Sequence, residues 1–324
     1  MSGINKTPIL SVCIPTWNRS RFLNESLSRL YVQSLEVDSE DIEFFISDNA
    51  SDDDTEIVVN DYVQKGMSIS YNKNPQNLGA ARNFIRCIQW SQGKYIWLLG
   101  DDDFLKPGAL KLIIDTLKQN DCGLLHLYSL GTKKENPTLI SDSSVFLCKM
   151  SFWSTFMSGN IFNRSAVSKI VNPEQYIDTH LLQVPFFLES VLSHQNNIYI
   201  GIDLVLETGA DDANNGGYNF FEVFTKHYLD IWHSALVRHD VSRDVYDIIR
   251  KDLFEKYLVY FIDKLLLRKE SVSNVKEEAY SRKGWRIDNS WNILNKYYFG
   301  QPYFYITVSK MYLKHTLKKI LRKT

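Results

Sequence analysis

Residues 95–107 read YIWLLGDDDFLKP, an apolar run that ends in three consecutive aspartates and is closed by a proline. The unbroken apolar stretch Tyr95 to Leu99 predicts a strand buried on both faces. Gly100 lets the backbone leave the sheet, so Asp101, Asp102 and Asp103 stand at the strand's C-terminal end. Neighbouring like charges repel and raise one another's pKa, and three adjacent acids therefore call for a positive partner. A divalent cation answers that need, because Mg²⁺ and Mn²⁺ favour hard oxygen ligands and are held by one or two carboxylates plus substrate phosphates. A polar loop or helix cap is the plainer reading of an acid triplet. Position decides between them, since open α/β sheets take their ligands at strand C-termini.

On either side of this strand the chain alternates. Ile9 to Ile14 (ILSVCI) and Ile42 to Ile46 are further compact apolar runs, closed by Pro15 and by Ser47-Asp48-Asn49. Between them Leu23, Leu27, Leu30 and Tyr31 recur at helical spacing, and Ile57, Val58 and Tyr62 do so after the helix-capping residues Ser51 to Asp54. Ile69 to Tyr71 predicts a short strand. Ala80 to Trp90 predicts a helix with Ala81, Phe84, Ile85 and Ile88 on one face, Gly108 to Asn120 another helix, and Gly123 to Leu127 a further strand. Strands alternating with helices imply right-handed crossovers and a mostly parallel sheet flanked by helices. The fold class is therefore α/β, with residues 1–128 as a nucleotide-binding half.

The next part is less regular. Gly131 to Val145 is polar and turn-rich, and GNIFNRSAV predicts a short strand entering a helix. Residues 176–193 have helical spacing, with Pro185 in a first turn or at a kink. Ile198 to Leu206 is another strand candidate, followed by the Gly- and Asn-rich loop 207–219. From Phe220 onward apolar residues recur at three- and four-residue intervals. The expected organisation is a catalytic domain over 1–215, with 129–215 as its acceptor half, and a helical C-terminal region over 216–324. His227, His233 and His239 have no metal-ligand spacing and read as ordinary helix residues. The tail from Tyr303 carries Lys310, Lys314, Lys318, Lys319, Arg322 and Lys323, no acid, and interleaved aromatic and aliphatic residues. Such a helix either lies among anionic headgroups or packs on the body with a solvated basic face.

Composition narrows the class. The 324 residues are 44% hydrophobic and carry a net charge of -1, which supplies a core and argues against bulk nucleic-acid binding. Four widely spaced cysteines without a CxxC pair point to reduced thiols in a cytoplasmic protein. The N-terminal apolar run is too short for a signal peptide, and no stretch of about eighteen apolar residues predicts a membrane span. Peripheral contact with the inner face of the plasma membrane, and a homo-oligomer, stay open.

Four strand-end segments, Pro15 to Arg19, Asp48 to Asp53, Asn77 to Asn83 and Gly100 to Asp103, converge on one edge of a parallel sheet. Their polar, basic and acidic groups suit a nucleoside diphosphate. The chain lacks GxGxxG and GxxxxGK[ST], which disfavours dinucleotide dehydrogenases and P-loop enzymes. Taken together, SVCIPTWNR, ISDNASDDDT, NPQNLGAARN and WLLGDDDFLKPG resemble, in order and spacing, the nucleotide-sugar motifs of the family 2 glycosyltransferases of GT-A fold. The resemblance covers about the first 130 residues. It looks most like the bacterial O-antigen and polysaccharide enzymes of abequosyltransferase-like type.

The resemblance implies a GT-A, Rossmann-like fold with a helical extension, and a donor that is a nucleotide-diphosphate sugar. Pro15, Thr16, Asn18 and Arg19 would border the base, Asp48 would bond the base or ribose, and Asn77, Gly79 and Arg82 would lie beside ribose and diphosphate. The family's metal motif is D-x-D-D-x-x-x-P. Counting back from Pro107 puts Asp102 on the second acid, as ligand for Mn²⁺ or Mg²⁺, and Gly100 where the first acid belongs; Asp101 would then take over ribose or metal contacts, with the division of labour among Asp101, Asp102 and Asp103 left open. The implied reaction inverts the anomeric carbon, with a glycan or polyprenyl-linked oligosaccharide as acceptor. Its base would come from Tyr176 to His180, where Asp178 or His180 replaces the family's ED pair, although Asp178 also reads as a helix N-cap. Two rivals stand beside this. A sugar-phosphate nucleotidyltransferase would need a Gly-rich loop after the first strand, and CIPTWNRSRF has none; a noncatalytic sugar-nucleotide or glycan-binding subunit would bind without transfer.

Overall fold

The computed structural model describes residues 7–127, 135–207, 218–268 and 289–321, and the chain divides into two compact units, residues 1–208 and 209–324. In the first unit β1 (Leu10–Thr16), β2 (Ile42–Asp48), β3 (Ile69–Lys73) and β4 (Tyr95–Leu98) form parallel neighbours in the order 3-2-1-4. Every residue of β1 and β4 is buried, which is why both read as unbroken apolar runs. Helices α1 (Ser20–Ser34), α2 (Thr55–Gln64) and α3 (Ala80–Trp90) make the crossovers. The face of α3 differs from the expected one, since Asn83, Ile85 and Cys87 are buried while Ala81, Phe84 and Ile88 are only partly so.

Register is the feature that positions the site. Thr16 pairs with Asp48, Asp48 with Lys73, and Cys13 with Leu98. Three residues beyond the Cys13–Leu98 pair, Thr16 comes level with Asp101, so the strand-end side chains share one row.

Past β4 the sheet becomes mixed. The short β5 (Asp103–Leu105) leaves it, α4 (Ala109–Gln119) returns, and β6 (Leu124–His126) pairs with β8 (Asn160–Asn163), which runs antiparallel to both β4 and β6. The stretch expected to be turn-rich contains an edge strand, β7 (Glu135–Ile140), and a helix, α5 (Ser143–Met150), whose N-cap Asp142 accepts from the Ser144 and Val145 amides. An edge tolerates Pro137, and β7 pairs only with β9 (Asn197–Gly201). The single strand expected over Ile198 to Leu206 is two strands. β9 stays in the sheet, whereas β10 (Val205–Glu207) pairs antiparallel with β5 in a separate ribbon.

Asn163 caps the short α6 (Arg164–Val167). The helical stretch expected from 176 begins as a 3₁₀ turn, Pro173–Thr179, breaks at His180 (φ 58°), and becomes helix α7 (Gln183–Leu192), with Pro185 in its first turn. In the core, Trp97 is fully buried and donates its indole N–H to the Ser158 carbonyl at 2.9 Å. Cys13, Cys87 and Cys122 are buried thiols, and Cys13 Sγ lies 3.7 Å from the Cys87 carbonyl.

The second unit is helical, with helices over Tyr228–Val237, Arg243–Asp252, Ser290–Tyr298 and Pro302–Leu321. Phe254, in the helical continuation Leu253–Leu258, packs on Tyr298 and Phe304 of the last two, with Tyr298 and Phe304 stacked at 5.6 Å. No helix among the described residues is long and apolar enough to cross a membrane. Most of the loop 207–219, and the terminal Arg322 and Lys323, lie outside the described residues.

Candidate active site

Asp101 is the buried hinge of the strand-end row. Its side chain is almost fully enclosed, with Thr16 Oγ1 donating to Oδ2 at 2.8 Å and Arg19 Nη1 holding Oδ1 at 2.9 Å. Arg19 Nη2 reaches Asp102 Oδ2 at 2.6 Å, so one guanidinium bridges two adjacent carboxylates. Burial pushes the Asp101 carboxyl up to about 7, and the Asp102 charge adds to that; Arg19 and Thr16 pull the other way. The positive partner that the acid triplet demands is thus present within the chain. Arg19 faces the acids, and the Asp101 oxygens are engaged inside the protein.

Asp103 closes the loop. Gly100 N–H donates to Ser158 Oγ at 2.9 Å, and Ser158 Oγ donates to Asp103 Oδ2. A Cβ on Gly100 would come 2.7 Å from that same oxygen. Glycine therefore stands at the motif's first position because the third aspartate folds back over it. Asp102, with its side chain 22% exposed, is the carboxylate of the three that Arg19 presents towards solvent.

The loops after β1 and β2 are stapled together. Asn18, in the left-handed region at φ 51°, donates its N–H to Ser51 Oγ and accepts from the Asp52 amide. Asp53 takes the Ser20 amide at the start of α1 and the Thr55 amide at the start of α2, so one carboxylate caps two helices. Asp48 is fully buried, accepting from the Ser51 amide and from Tyr71 Oη at 2.6 Å. That places it beneath the loop, shaping backbone that a base or ribose would meet. Four asparagines do the same for the third loop. Asn49 bonds Asn77 and the Leu78 amide, while Asn74 bonds Asn49 and Asn83. Gly79, at φ 82°, then opens α3, and Arg82 stands exposed in its first turn, without an ion pair to any other described residue.

The family model for Glycosyl transferase family 2 matches residues 11–157. Over this stretch the chain is similar to the family 2 glycosyltransferases. Over 109 residues it is 39% identical to "Abequosyltransferase RfbV" of Salmonella typhimurium, covering 32% of this chain and 31% of that protein. Over 197 residues it is 29% identical to "GalNAc(5)-diNAcBac-PP-undecaprenol beta-1,3-glucosyltransferase" of Campylobacter jejuni, 56% of this chain and 60% of that one. The chain thus spans from about a third to three-fifths of the length of these relatives. Among solved structures, Staphylococcus aureus TarS 1-349 in complex with UDP-GlcNAc superposes with a TM-score of 0.62 at 15% identity, covering 89% of this chain and 80% of that one. The mannosyltransferase PcManGT of Pyrobaculum calidifontis, with GDP-Man and Mn²⁺, gives 0.57 at 13%, covering 97% and 87%. These likenesses establish the GT-A fold.

A hard divalent cation fits the donor set of this domain. Among the described residues no three Asp, Glu, His or Cys side chains form a ready-made cage. A full cage is not required where one or two carboxylates hold the ion and a substrate's phosphates complete the shell. Asp178, on the 3₁₀ turn Pro173–Thr179, and His180, which follows it, are exposed, and the turn packs against α3. Asp178 does not cap α7, whose N-cap is Leu182 with no side-chain bond, so the capping reading falls. Motif reading passed over two features. Trp17, 38% exposed at the β1 end, is an aromatic surface beside the row, and its position between Thr16 and Asn18 was the available signal. The buried Asn49, Asn74 and Asn83 had only their abundance near strand ends to announce them.

Proposed function

We propose that the chain is an inverting glycosyltransferase that moves a sugar from a nucleotide-diphosphate donor to a hydroxyl of a glycan or polyprenyl-linked oligosaccharide, in the synthesis of bacterial surface polysaccharide. The observation that carries this is the strand-end row: Asp48, Thr16 and Asp101 level across parallel strands, with Asp102 held outward and Arg82 exposed beside them. The family match over residues 11–157, and relatives whose names specify sugar transfer, support the reading.

In this mechanism the loops after β1, β2 and β3 form the donor's nucleotide bed, with the Trp17 indole offering a face on which a base can stack. Arg82 meets the diphosphate at the N-terminus of α3, where the helix dipole also favours anions. Mn²⁺ or Mg²⁺, held through Asp102 with Asp101 and Asp103 alongside, would neutralise charge on the leaving diphosphate. The acceptor hydroxyl gives its proton to a carboxylate or imidazole, Asp178 or His180, as its oxygen bonds the anomeric carbon. The bond from that carbon to the diphosphate oxygen breaks, and the nucleoside diphosphate leaves with the electron pair.

The location that suits a polyprenyl-linked acceptor is the inner membrane face. The helix Pro302–Leu321 contains no acid and exposes Tyr305, Ile306, Tyr312, Leu313 and Leu317 together with Lys310 and Lys314, a composition suited to an anionic interface. The deciding experiment is a donor and acceptor panel with Mn²⁺, read as released nucleoside diphosphate and as glycosylated product. Asp102→Ala should lower turnover roughly 10²–10³-fold while the thermal midpoint stays put. Full activity in that variant would sink the assignment.

A further inference from the structure

We infer that the second unit carries a saccharide-binding site of its own: a polar cavity between the turn Glu222–His227 and the helix Ser290–Tyr298 that takes a neutral sugar unit. None of its residues belongs to the strand-end row, and the inference does not rest on the transfer reading.

The helix Ser290–Tyr298 has two stripes. Ser290, Leu294 and Tyr298 are buried in the unit's core. Asn289 at the N-cap, with Asn292, Ile293, Lys296 and Tyr297, follows the i, i+3, i+4, i+7, i+8 spacing of a face that normally closes onto apolar neighbours. Only Ile293 among these five is aliphatic, and the five line a cavity of about 400 Å³, within the range of roughly 300–1,000 Å³ usual for small-molecule sites. Asn219, Glu222 and Lys226 line the rest of it. Glu222–His227 is wound as a π-helix, a rare form that recurs at functional sites and brings residues five apart onto one face. Glu222 Oε1 accordingly stands 3.9 Å from both Lys226 Nζ and His227 Nε2.

This lining selects its ligand by charge and by hydrogen-bond type. Two lysines oppose a bare cation, and Glu222 set among them opposes a phosphate or carboxylate. A neutral ligand rich in hydroxyls suits both, since each hydroxyl donates to a carboxylate or amide oxygen and accepts from an ammonium or amide N–H. The asparagines are oriented in advance. Asn292 Nδ2 donates to Asn289 Oδ1 at 2.7 Å, so the pair turns one carbonyl end and one NH₂ end to other partners, and Asn219 Oδ1 accepts from the Glu222 amide at 3.1 Å. Tyr297 is pinned through Oη, which donates to Asp230 Oδ1 at 2.6 Å. Its ring and Ile293 form the apolar patch of the wall, where the C–H face of a pyranose meets the electron-rich face of the ring.

The test is saturation-transfer difference NMR on the whole protein with the methyl glycosides of glucose, galactose, mannose and N-acetylglucosamine, and with inorganic phosphate followed in separate samples by ³¹P line width. At least one glycoside should receive saturation from the wild type. Asn292→Leu, a change at an exposed position, should weaken that binding roughly fivefold or more, the value of one hydrogen bond. Glu222→Gln should also weaken it, and decides the matter if circular dichroism shows that Asn292→Leu does not fold. Saturation that is equal in wild type and both variants puts the sugar elsewhere and overturns the inference. Silence from all four glycosides overturns it too, as does phosphate broadening that Lys226→Ala abolishes where no glycoside responds, which makes the cavity an anion site. Release of nucleoside diphosphate from the donor should be unchanged in Asn292→Leu, so failure of the transfer reading and failure of this one appear in different measurements.

Discussion

The two sides of the proposed transfer site are built on opposite plans. Along the donor edge the site residues are committed to one another: Asp48 to Ser51 and Tyr71, Asp101 to Thr16 and Arg19, Asn83 to Ser47 and Asn74. On the turn Pro173–Thr179 and just after it, Asp178 and His180 are exposed. A site that meets the same nucleotide diphosphate in every turnover gains from groups fixed in advance. A site that must fit one acceptor among many is built from side chains at the surface, which can change without disturbing the core.

That contrast can be broken at its exposed end first. Asp178→Asn should cut transfer roughly 10²–10⁴-fold, the usual contribution of a general base, with donor binding by calorimetry unchanged. Retained transfer, with loss in His180→Gln instead, would move the role two residues along the turn.

A pH experiment tests the buried end. His126 is fully enclosed, its Nδ1 2.9 Å from Asn160 Oδ1, and burial pulls its pKa down to about 4. In the unfolded chain the ring takes a proton near 6.5. As pH falls, the unfolded state therefore binds that proton first. Its contribution to stability is full above about pH 6.5 and declines towards pH 4, by ~3 kcal/mol in all. Urea midpoints at pH 7.5 and 4.5 should diverge less in His126→Gln than in the wild type.

Smaller effects separate packing from chemistry. Gly100→Asp, which restores the family's first acid, should lower stability by about 1–3 kcal/mol, because its Cβ meets Asp103 Oδ2 at 2.7 Å and the bond from Ser158 is lost. A thermal midpoint equal to wild type would show that Asp103 can turn away. Asp53→Ala should cost about 1 kcal/mol through two uncapped helices, visible in chemical denaturation.

What was legible in the sequence follows the same division. β1, β2 and β4 announced themselves because strands buried on both faces leave largely apolar runs, and the loops after β1, β2, β3 and β4 carried the motifs. β7 did not, since an edge strand with Leu139 46% exposed and a proline inside it has neither apolar continuity nor clean alternation. The break between β9 and β10 falls at Gly201 to Leu204, where Gly201 and Asp203 interrupt the apolar residues. The acid triplet's need for a cation was readable from charge alone. That the cation is Arg19 was not, because the pairing depends on the register that brings Thr16 level with Asp101 and on a loop curled by the positive φ of Asn18.

The enclosed thiols have a practical consequence. Burial pushes Cys13 up to about 12 and Cys122 up to about 11, and holds Cys87 high as well, so at neutral pH none offers a thiolate to an alkylating reagent. One lies on the strand that ends in the site, one on the helix that carries Arg82, and one just before β6. Together they make this half of the protein its own clock: the rate at which iodoacetamide labels each cysteine, read by peptide mass, times how often each layer of the donor edge comes apart.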